Sequence, residues 1–281
     1  MMPPIFVAEL FPELSHALLK LLRSLTADEW TLPTVSSRRT VKDIVSHLLD
    51  GTLRRLSAQR DRYRPANGTM SPRSNESLMD FLNRLNDEWE TGTRRLSPKV
   101  VMELIEWSDP QLSELFLSLD PQAEAIFPVA WMGEERSRNW MDVARDYTEK
   151  WHHTQQIFDA TRRPSSILNP RLGHPCLDIF MRALGYTYRD VQAEVNSCVA
   201  VVVTGNAGGT WCVERRKDGW EQVTHVSPTP TAVVTMDQST AWKLVTKRRS
   251  REAARREFTD IQITGDASLG SHVLTMLSVM A

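Results

Sequence analysis

The sequence predicts a two-part chain, multidomain α and α+β: a set of helices over residues 1–165, then a smaller α+β domain with its linker helix over 166–281. Three observations predict it. Apolar residues recur at helical spacing through the first part. Pro, Ser, Asn and Gly cluster between Pro164 and Gly173 and read as a linker. From residue 195 the texture changes: Val199, Val201, Val202 and Val203 flank Ala200 in a β-branched run, and turn signals separate the short segments that follow. No internal repeat is present.

Residues 6 to 25 set Val7, Leu10, Leu14, Leu18, Leu21, Leu22 and Leu25 on one helical face. Asp28, Glu29 and Trp30 follow, and Pro33 ends regular structure, so residues 31 to 39 read as a loop. Thr40 and Asp43 form a capping signal, with the hydroxyl at N-cap and the carboxylate at N3. The helix they open carries Val41, Ile44, Val45, Leu48, Leu49, Leu53 and Leu56 and frays near Tyr63. His47 stands at the edge of that apolar face, one turn before Gly51. A glycine there lowers helix stability by roughly 1 kcal/mol relative to alanine, and the expectation is that it removes bulk beside the imidazole. Residues 65 to 76 form a long polar loop of the kind that covers sites. A third helix spans about 77 to 95, with Leu78, Phe81, Leu82, Leu85 and Trp89. Ser97 and Pro98 open another, and a break near Asp109 and Pro110 is expected before Leu112, Leu115, Phe116 and Leu119. Residues 120 to 138 read as irregular, interrupted by Pro121 and Pro128. Asn139 is then the expected N-cap of a long helix, 139 to 163.

In the second part, residues 174 to 191 place Leu177, Phe180, Met181 and Leu184 on one helical face. Residues 206 to 209 mark a turn into a strand over 210 to 214, and 217 to 219 mark the turn before a strand from Trp220. Residues 231 to 235 are a further strand, and 238 to 245 a helix with Ala241, Trp242 and Val245 inward. A short strand over 261 to 263, a turn at Gly265 and Asp266, and a closing helix over 267 to 280 complete the chain. The run TGNAGG from Thr204 resembles a phosphate loop on its surface. The strand that follows makes a hairpin turn the better reading.

Composition removes several functions. With 34 basic and 35 acidic residues the net charge is −1, which exerts no global pull toward nucleic acid or an anionic membrane. No run of 18 apolar residues exists, so no membrane span is expected. The first residues, MMPPIFVAELFPEL, are acidic where a signal peptide is basic, which predicts a cytoplasmic protein. Cys176, Cys198 and Cys212 cannot all pair and show no CxxC spacing, so neither a disulfide frame nor a thiolate metal site is expected. Nine tryptophans imply that several line cores or a cleft. GxSxG, P-loop and GxGxxG motifs are absent. The expected partner is a small-molecule substrate, and homodimerisation stays open.

The chemistry concentrates in the long helix. Glu149 and His153 are four residues apart, hence one turn apart on one face, and a carboxylate and an imidazole so held are half of a metal site. The best distant third ligand is His47. Two histidines and one carboxylate leave a coordination position open for water, a thiolate or a substrate oxygen. Zinc suits the set first; nickel, iron and manganese are also compatible. Such an ion acts as a Lewis acid, lowering the pKa of a bound water or thiol or polarising a carbonyl. His152 competes with His153, since i, i+3 also meets, and Gln156 and His152 are the candidates for orienting a bound group. A helical wheel offers the rival reading. Val143, Tyr147, Trp151 and Phe158 form the apolar stripe, with Glu149, His153 and Gln156 roughly opposite, which is the pattern of a solvated face. The metal reading requires that face to line a cleft against the helix bearing His47. His16, His174, His225 and His272 read as surface or structural. Lys247, Arg248, Arg249, Arg251, Arg255 and Arg256 are either a solvated face or a patch that steers an anionic substrate or thiol.

The residues LTADEW from Leu25, then Thr34, then TVKDIVSHL from Thr40 resemble the N-terminal signature of the mycothiol-dependent maleylpyruvate isomerase-like family, within the wider DinB-like bundle superfamily. YTEKWHH from Tyr147 is similar to that family's second metal motif, a Glu, three residues and a His. Trp211, Trp220, Thr240-Ala241-Trp242, and Gly265-Asp266 before a helix resemble its C-terminal domain. The resemblance covers nearly the whole chain. It implies a DinB-like four-helix bundle followed by a small sterol-carrier-like α+β domain, a divalent metal held by His47, Glu149 and His153, and a low-molecular-weight, mycothiol-like thiol. It implies an isomerase or S-transferase: in the isomerase the thiol adds to an activated double bond, allows rotation and leaves. A metal-bound thiol is deprotonated near neutral pH, and the thiolate is the nucleophilic form. The chain also departs from the pattern. Ser37-Arg38-Arg39 stands where the family carries a Gly-Trp pair, Gln156 stands where an acidic residue often follows the second His, and the insert around 65 to 135 is longer. These departures leave the substrate open. Two further classes stay open beside the enzyme: a non-enzymatic module binding a small apolar molecule in the second domain, and a metal-dependent hydrolase that uses no thiol.

Overall fold

The computed structural model describes residues 2–35, 39–63, 77–126, 136–225, 227–246 and 250–278. Helices and one five-stranded sheet make up two compact units. One comprises Ala8–Leu119 and His153–Ser165; the other comprises Met1–Val7, Asp120–His152 and Ser166–Ala281. Among the described residues no helix is long and apolar enough to cross a membrane.

In the first unit a short 3-10 turn leads into α1 (Phe11–Arg23). α2 (Val41–Arg55) opens on the expected capping box: Thr40 Oγ1 accepts from the Asp43 N–H at 3.3 Å and Asp43 Oδ2 accepts from the Thr40 N–H at 2.9 Å. It continues into a π-helical turn, Leu56–Arg60. α3 (Leu78–Thr93) and α4 (Pro98–Ser118) begin at the serine caps Ser77 and Ser97. Leu14, Leu18, Ile44, Leu49, Val101 and Ile105 are fully buried where α1, α2 and α4 pack, and Phe11 meets Phe116 edge-on at 4.9 Å. Trp89 Nε1 donates to the Ser46 carbonyl at 2.8 Å and Ser46 Oγ to Thr93 Oγ1 at 2.7 Å, fastening α3 to α2.

The break expected near Asp109 and Pro110 does not occur; α4 runs through Pro110. Proline forfeits one helical hydrogen bond and ordinarily costs about 3 kcal/mol inside a helix. Ile105, Leu112 and Phe116 keep one buried face across it, and that packing outweighs the local preference. The polar loop over 65–76, part of the Ser37-Arg38-Arg39 departure and residues 127–135 of the irregular 120–138 stretch lie outside the described residues.

α5 (Asn139–Ala160) belongs to both units along its length. Asn139 is its first residue, and the Asn139 amide donates to the Asp120 carbonyl at 2.9 Å. The segment after it is tied back to the helix: Tyr147 Oη donates to the Leu172 carbonyl at 2.8 Å and Trp151 Nε1 to the Ile167 carbonyl at 3.2 Å. The single helix expected over 174–191 is two, α6 (Gly173–Met181) and α7 (Ala183–Tyr188), parted at Arg182, whose guanidinium donates to the Pro3 carbonyl at 2.6 Å.

The sheet holds β1 (Cys198–Thr204), β2 (Gly209–Arg215), β3 (Trp220–Val223), β4 (Ala232–Asp237) and β5 (Gln262–Gly265) in the order β3-β2-β1-β4-β5. β1 and β4 run parallel, with Ala200 opposite Val233; the other neighbours are antiparallel, with Ala200 opposite Cys212. Val199, Val201, Val213, Ala232 and Val234 share one face and are fully buried. α8 (Gln238–Val245) and α10 (Ala267–His272) pack on this sheet. α9 (Arg251–Glu257), in the stretch that reads as a basic cluster, is a helix capped by Ser250, with Ala254 buried. The closing helix expected to reach residue 280 stops at His272. After a 3-10 turn the chain extends so that Ser278 donates its N–H to Val245 at 2.9 Å and its hydroxyl to the Phe180 carbonyl at 2.7 Å.

Candidate metal centre

The polar stripe of α5 does not face solvent. From Tyr147 to Phe158 every residue but Glu149 is buried, with His153 only 6 % and Gln156 only 5 % exposed. His47, on α2, is half-buried, and its ring meets His153 edge-on with centroids 4.9 Å apart and planes at 77°. One ligand atom from each of His47, Glu149 and His153 lies within 4.8 Å of the other two. Donors about 2.1 Å from a tetrahedral ion stand roughly 3.4 Å apart, so small side-chain rotations close this set around a metal. The donor chemistry fits as well: two imidazoles and one carboxylate form an open, three-ligand arrangement.

The two neighbouring histidines part ways. His152 turns its ring to Trp242, 6.1 Å between centroids, beside the edge-on pair Trp151 and Trp242 at 6.5 Å. His153 is the one that joins His47 and Glu149. Gln156 engages His153 itself: Gln156 Oε1 is 2.9 Å from His153 Nδ1. An amide oxygen only accepts, so this contact is a hydrogen bond in the tautomer that has its hydrogen on Nδ1 and its lone pair on Nε2.

Two charged residues near the cluster escaped the sequence reading. Asp50, three residues past His47, is buried, and Asp50 Oδ2 lies 3.0 Å from Arg54 Nη2. Burial holds the Asp50 carboxyl above its ordinary value, with Arg54 pulling the other way. Arg145, one turn before Glu149, reaches Asp142 at 2.8 Å and Asp146 at 3.0 Å. Helical spacing from His47 and Glu149 was the signal available for both. The expectation for Gly51 is corrected. Among the described residues a Cβ there would meet nothing within 4 Å, so none of them requires the missing side chain.

Among the described residues none of the other candidates joins a metal-ligand cluster. His16 is exposed, His174 stacks on Trp211 at 5.7 Å, and His225 lies 3.5 Å from Glu214. His272 Nε2 donates to the Thr187 carbonyl at 2.9 Å while Nδ1 accepts from Arg251 at 2.6 Å, and burial lowers its pKa. Arg255 donates to Ser271 Oγ at 2.7 Å, so part of the basic cluster fastens α9 to α10. Lys247, Arg248 and Arg249 lie outside the described residues. The TGNAGG run is the β1–β2 hairpin turn, with Gly205 at φ 104°. Cys176, Cys198 and Cys212 are buried free thiols.

Among solved structures, the crystal structure of a mutant of the mycothiol-dependent maleylpyruvate isomerase is similar at TM-score 0.55 and 10% identity, covering 92% of this chain and 91% of that one. A second crystal structure of the mycothiol-dependent maleylpyruvate isomerase is similar at TM-score 0.51 and 10% identity, over 84% and 86% of the two chains. At such identity the likeness shows a shared fold. No curated protein matches the sequence. Residues 11–158, more than half of the chain and inclusive of His47, Glu149 and His153, match the family described as mycothiol maleylpyruvate isomerase N-terminal domain. The helices that carry the cluster therefore have a family of their own, and the chain belongs to the mycothiol maleylpyruvate isomerase N-terminal domain family.

Proposed function

We propose that the chain is a metal-dependent enzyme of isomerase or S-transferase type, using a low-molecular-weight, mycothiol-like thiol on a small-molecule substrate. The observation that carries this reading is the approach of His47, Glu149 and His153 to within 4.8 Å of one another. Family membership and the mycothiol dependence of the structurally similar isomerase support the thiol. A divalent metal, zinc first, would be held by His47, Glu149 and His153 and would supply Lewis-acid activation of a thiol at the open position. Two neutral imidazoles and one carboxylate offset only one of a dication's two charges, so these ligands favour an anionic partner there. The burial of His153 and Gln156 keeps water from one side of the set.

The same reading takes residues 1–165 as a DinB-like four-helix bundle and 166–281 as a sterol-carrier-like domain. It also takes the protein as cytoplasmic, with homodimerisation to be read by sedimentation. His152, packed on Trp242, and Gln156, bonded to His153, act through those neighbours.

Elemental analysis of tag-free protein tests the reading. About one metal per chain is expected in the wild type and much less in His47→Ala and His153→Ala. Thiol-dependent cis–trans isomerisation of activated alkenes, followed by NMR with and without mycothiol, then tests the reaction class. Wild-type protein that takes up neither zinc nor nickel overturns the metal and favours a module for apolar ligands. Ester or amide hydrolysis at the loaded site, indifferent to thiol, overturns the thiol.

A further inference from the structure

We propose that Gln156 is the positioning residue of this centre, holding His153 as the Nδ1–H tautomer so that Nε2 is its ligand atom. The proposal rests on the metal reading and adds to it a residue that touches no metal.

The geometry is local to one helix. His153 and Gln156 are three residues apart on α5, so their side chains lie on one face, one above the other. Their contact is 2.9 Å, and both side chains are buried, at 6 % and 5 % exposure. In water an imidazole exchanges freely between its two tautomers. Beside a buried amide oxygen, the tautomer with a bare Nδ1 would set two lone pairs against each other, and the other forms a hydrogen bond. The ring then has a single lone pair, on Nε2. Metal-ligating histidines commonly donate their second ring N–H in this way, and loss of that partner weakens metal binding by 10- to 100-fold.

The identity of the partner matters. A carboxylate in this place would strengthen the ring as a donor and add a negative charge beside the ligands. The neutral amide fixes the same tautomer without the charge. With Glu149 already in the set, Gln156 leaves the loaded centre its surplus positive charge and so its attraction for an anion. Gln156 thus trades some metal affinity for a stronger pull on a thiolate or a carboxylate-bearing substrate.

Two measurements on the full chain test this. Multiple-bond 1H–15N NMR of metal-free wild type reads the His153 tautomer directly, with His153→Gln for assignment. Nδ1–H is expected, and a predominantly Nε2–H ring overturns the proposal. Zinc affinity is then measured by competition with a chromophoric chelator for wild type, Gln156→Leu and Gln156→Glu. Gln156→Leu, close in volume but without an acceptor, is expected to bind zinc roughly 10- to 100-fold more weakly. Gln156→Glu is expected to bind at least as tightly as wild type, which a purely structural role for the amide would not produce. Equal affinities for wild type and Gln156→Leu, with Nδ1–H retained in both, overturn the role of Gln156 while the metal reading stands. Wild type that binds no zinc overturns the metal reading first and this proposal with it. If Gln156→Leu fails to fold, the wild-type tautomer and the Gln156→Glu affinity still decide.

Discussion

Glu29 is a partly buried carboxylate held well below the usual carboxylate range. Arg163 grips both of its oxygens, the second at 3.0 Å, and the Thr26 N–H donates to it at 2.8 Å. The Arg163 guanidinium above all, and then the Thr26 amide, hold its carboxyl at about 2 against an ordinary 4.5. The folded value is depressed, so the contribution to stability is complete above about 4.5 and is lost as pH falls toward about 2. Glu29→Gln should be less stable than wild type near neutral pH, with the difference vanishing across that window. Urea midpoints of the two proteins from pH 6 to pH 2 check this, and a pH-independent difference would exclude it. The pairing joins residues 134 apart in sequence, and no local pattern announces it. His47 and His153 pose the same problem, with the difference that Glu149 at helical spacing and the family motifs marked the site in advance. Gln156 was legible as a polar neighbour on that face, whereas its hydrogen bond to His153 needed coordinates.

At the scale of elements, helices with a cap and an apolar stripe were readable almost to the residue. α2 begins where Thr40 and Asp43 place it, and α8 spans the expected 238 to 245. Segments whose local preference conflicts with packing were not. α4 passes through Pro110 because its buried face continues, and residues 276–278 leave the helical path to bond Val245 and Phe180. Gly51 lies in α2, and no described residue stands within 4 Å of where its side chain would be. Gly51→Ala should therefore raise stability by about 0.5–1 kcal/mol, through helix propensity and a less flexible unfolded chain. Chemical denaturation of the metal-free protein reads that gain. A loss instead would show that the space is needed in a way the backbone geometry does not reveal.

For the whole molecule, a net charge of −1 and an isoelectric point near 6.7 leave little self-repulsion around neutrality. Solubility in polyethylene glycol should pass through a minimum near pH 6.7 and rise on both sides; a minimum more than about one unit away would refute it. The balance of charge, the absence of a long apolar run, the change from helical to β-branched texture and the pairing of Glu149 with His153 were all determined by sequence alone, because each depends on composition or on spacing along one element. The orientation of α5 was not. Its wheel sets Glu149, His153 and Gln156 opposite the apolar stripe, which by periodicity alone means solvent. A hydrophobic pattern reports one preferred face, and it carries no information about what the fold packs against the other. In the folded chain both faces of α5 are buried from Tyr147 to Phe158, save at Glu149. Only tertiary structure could bring His47 to that polar face, since the approach of two helices is decided by the packing of the entire core and by no residue of either helix alone.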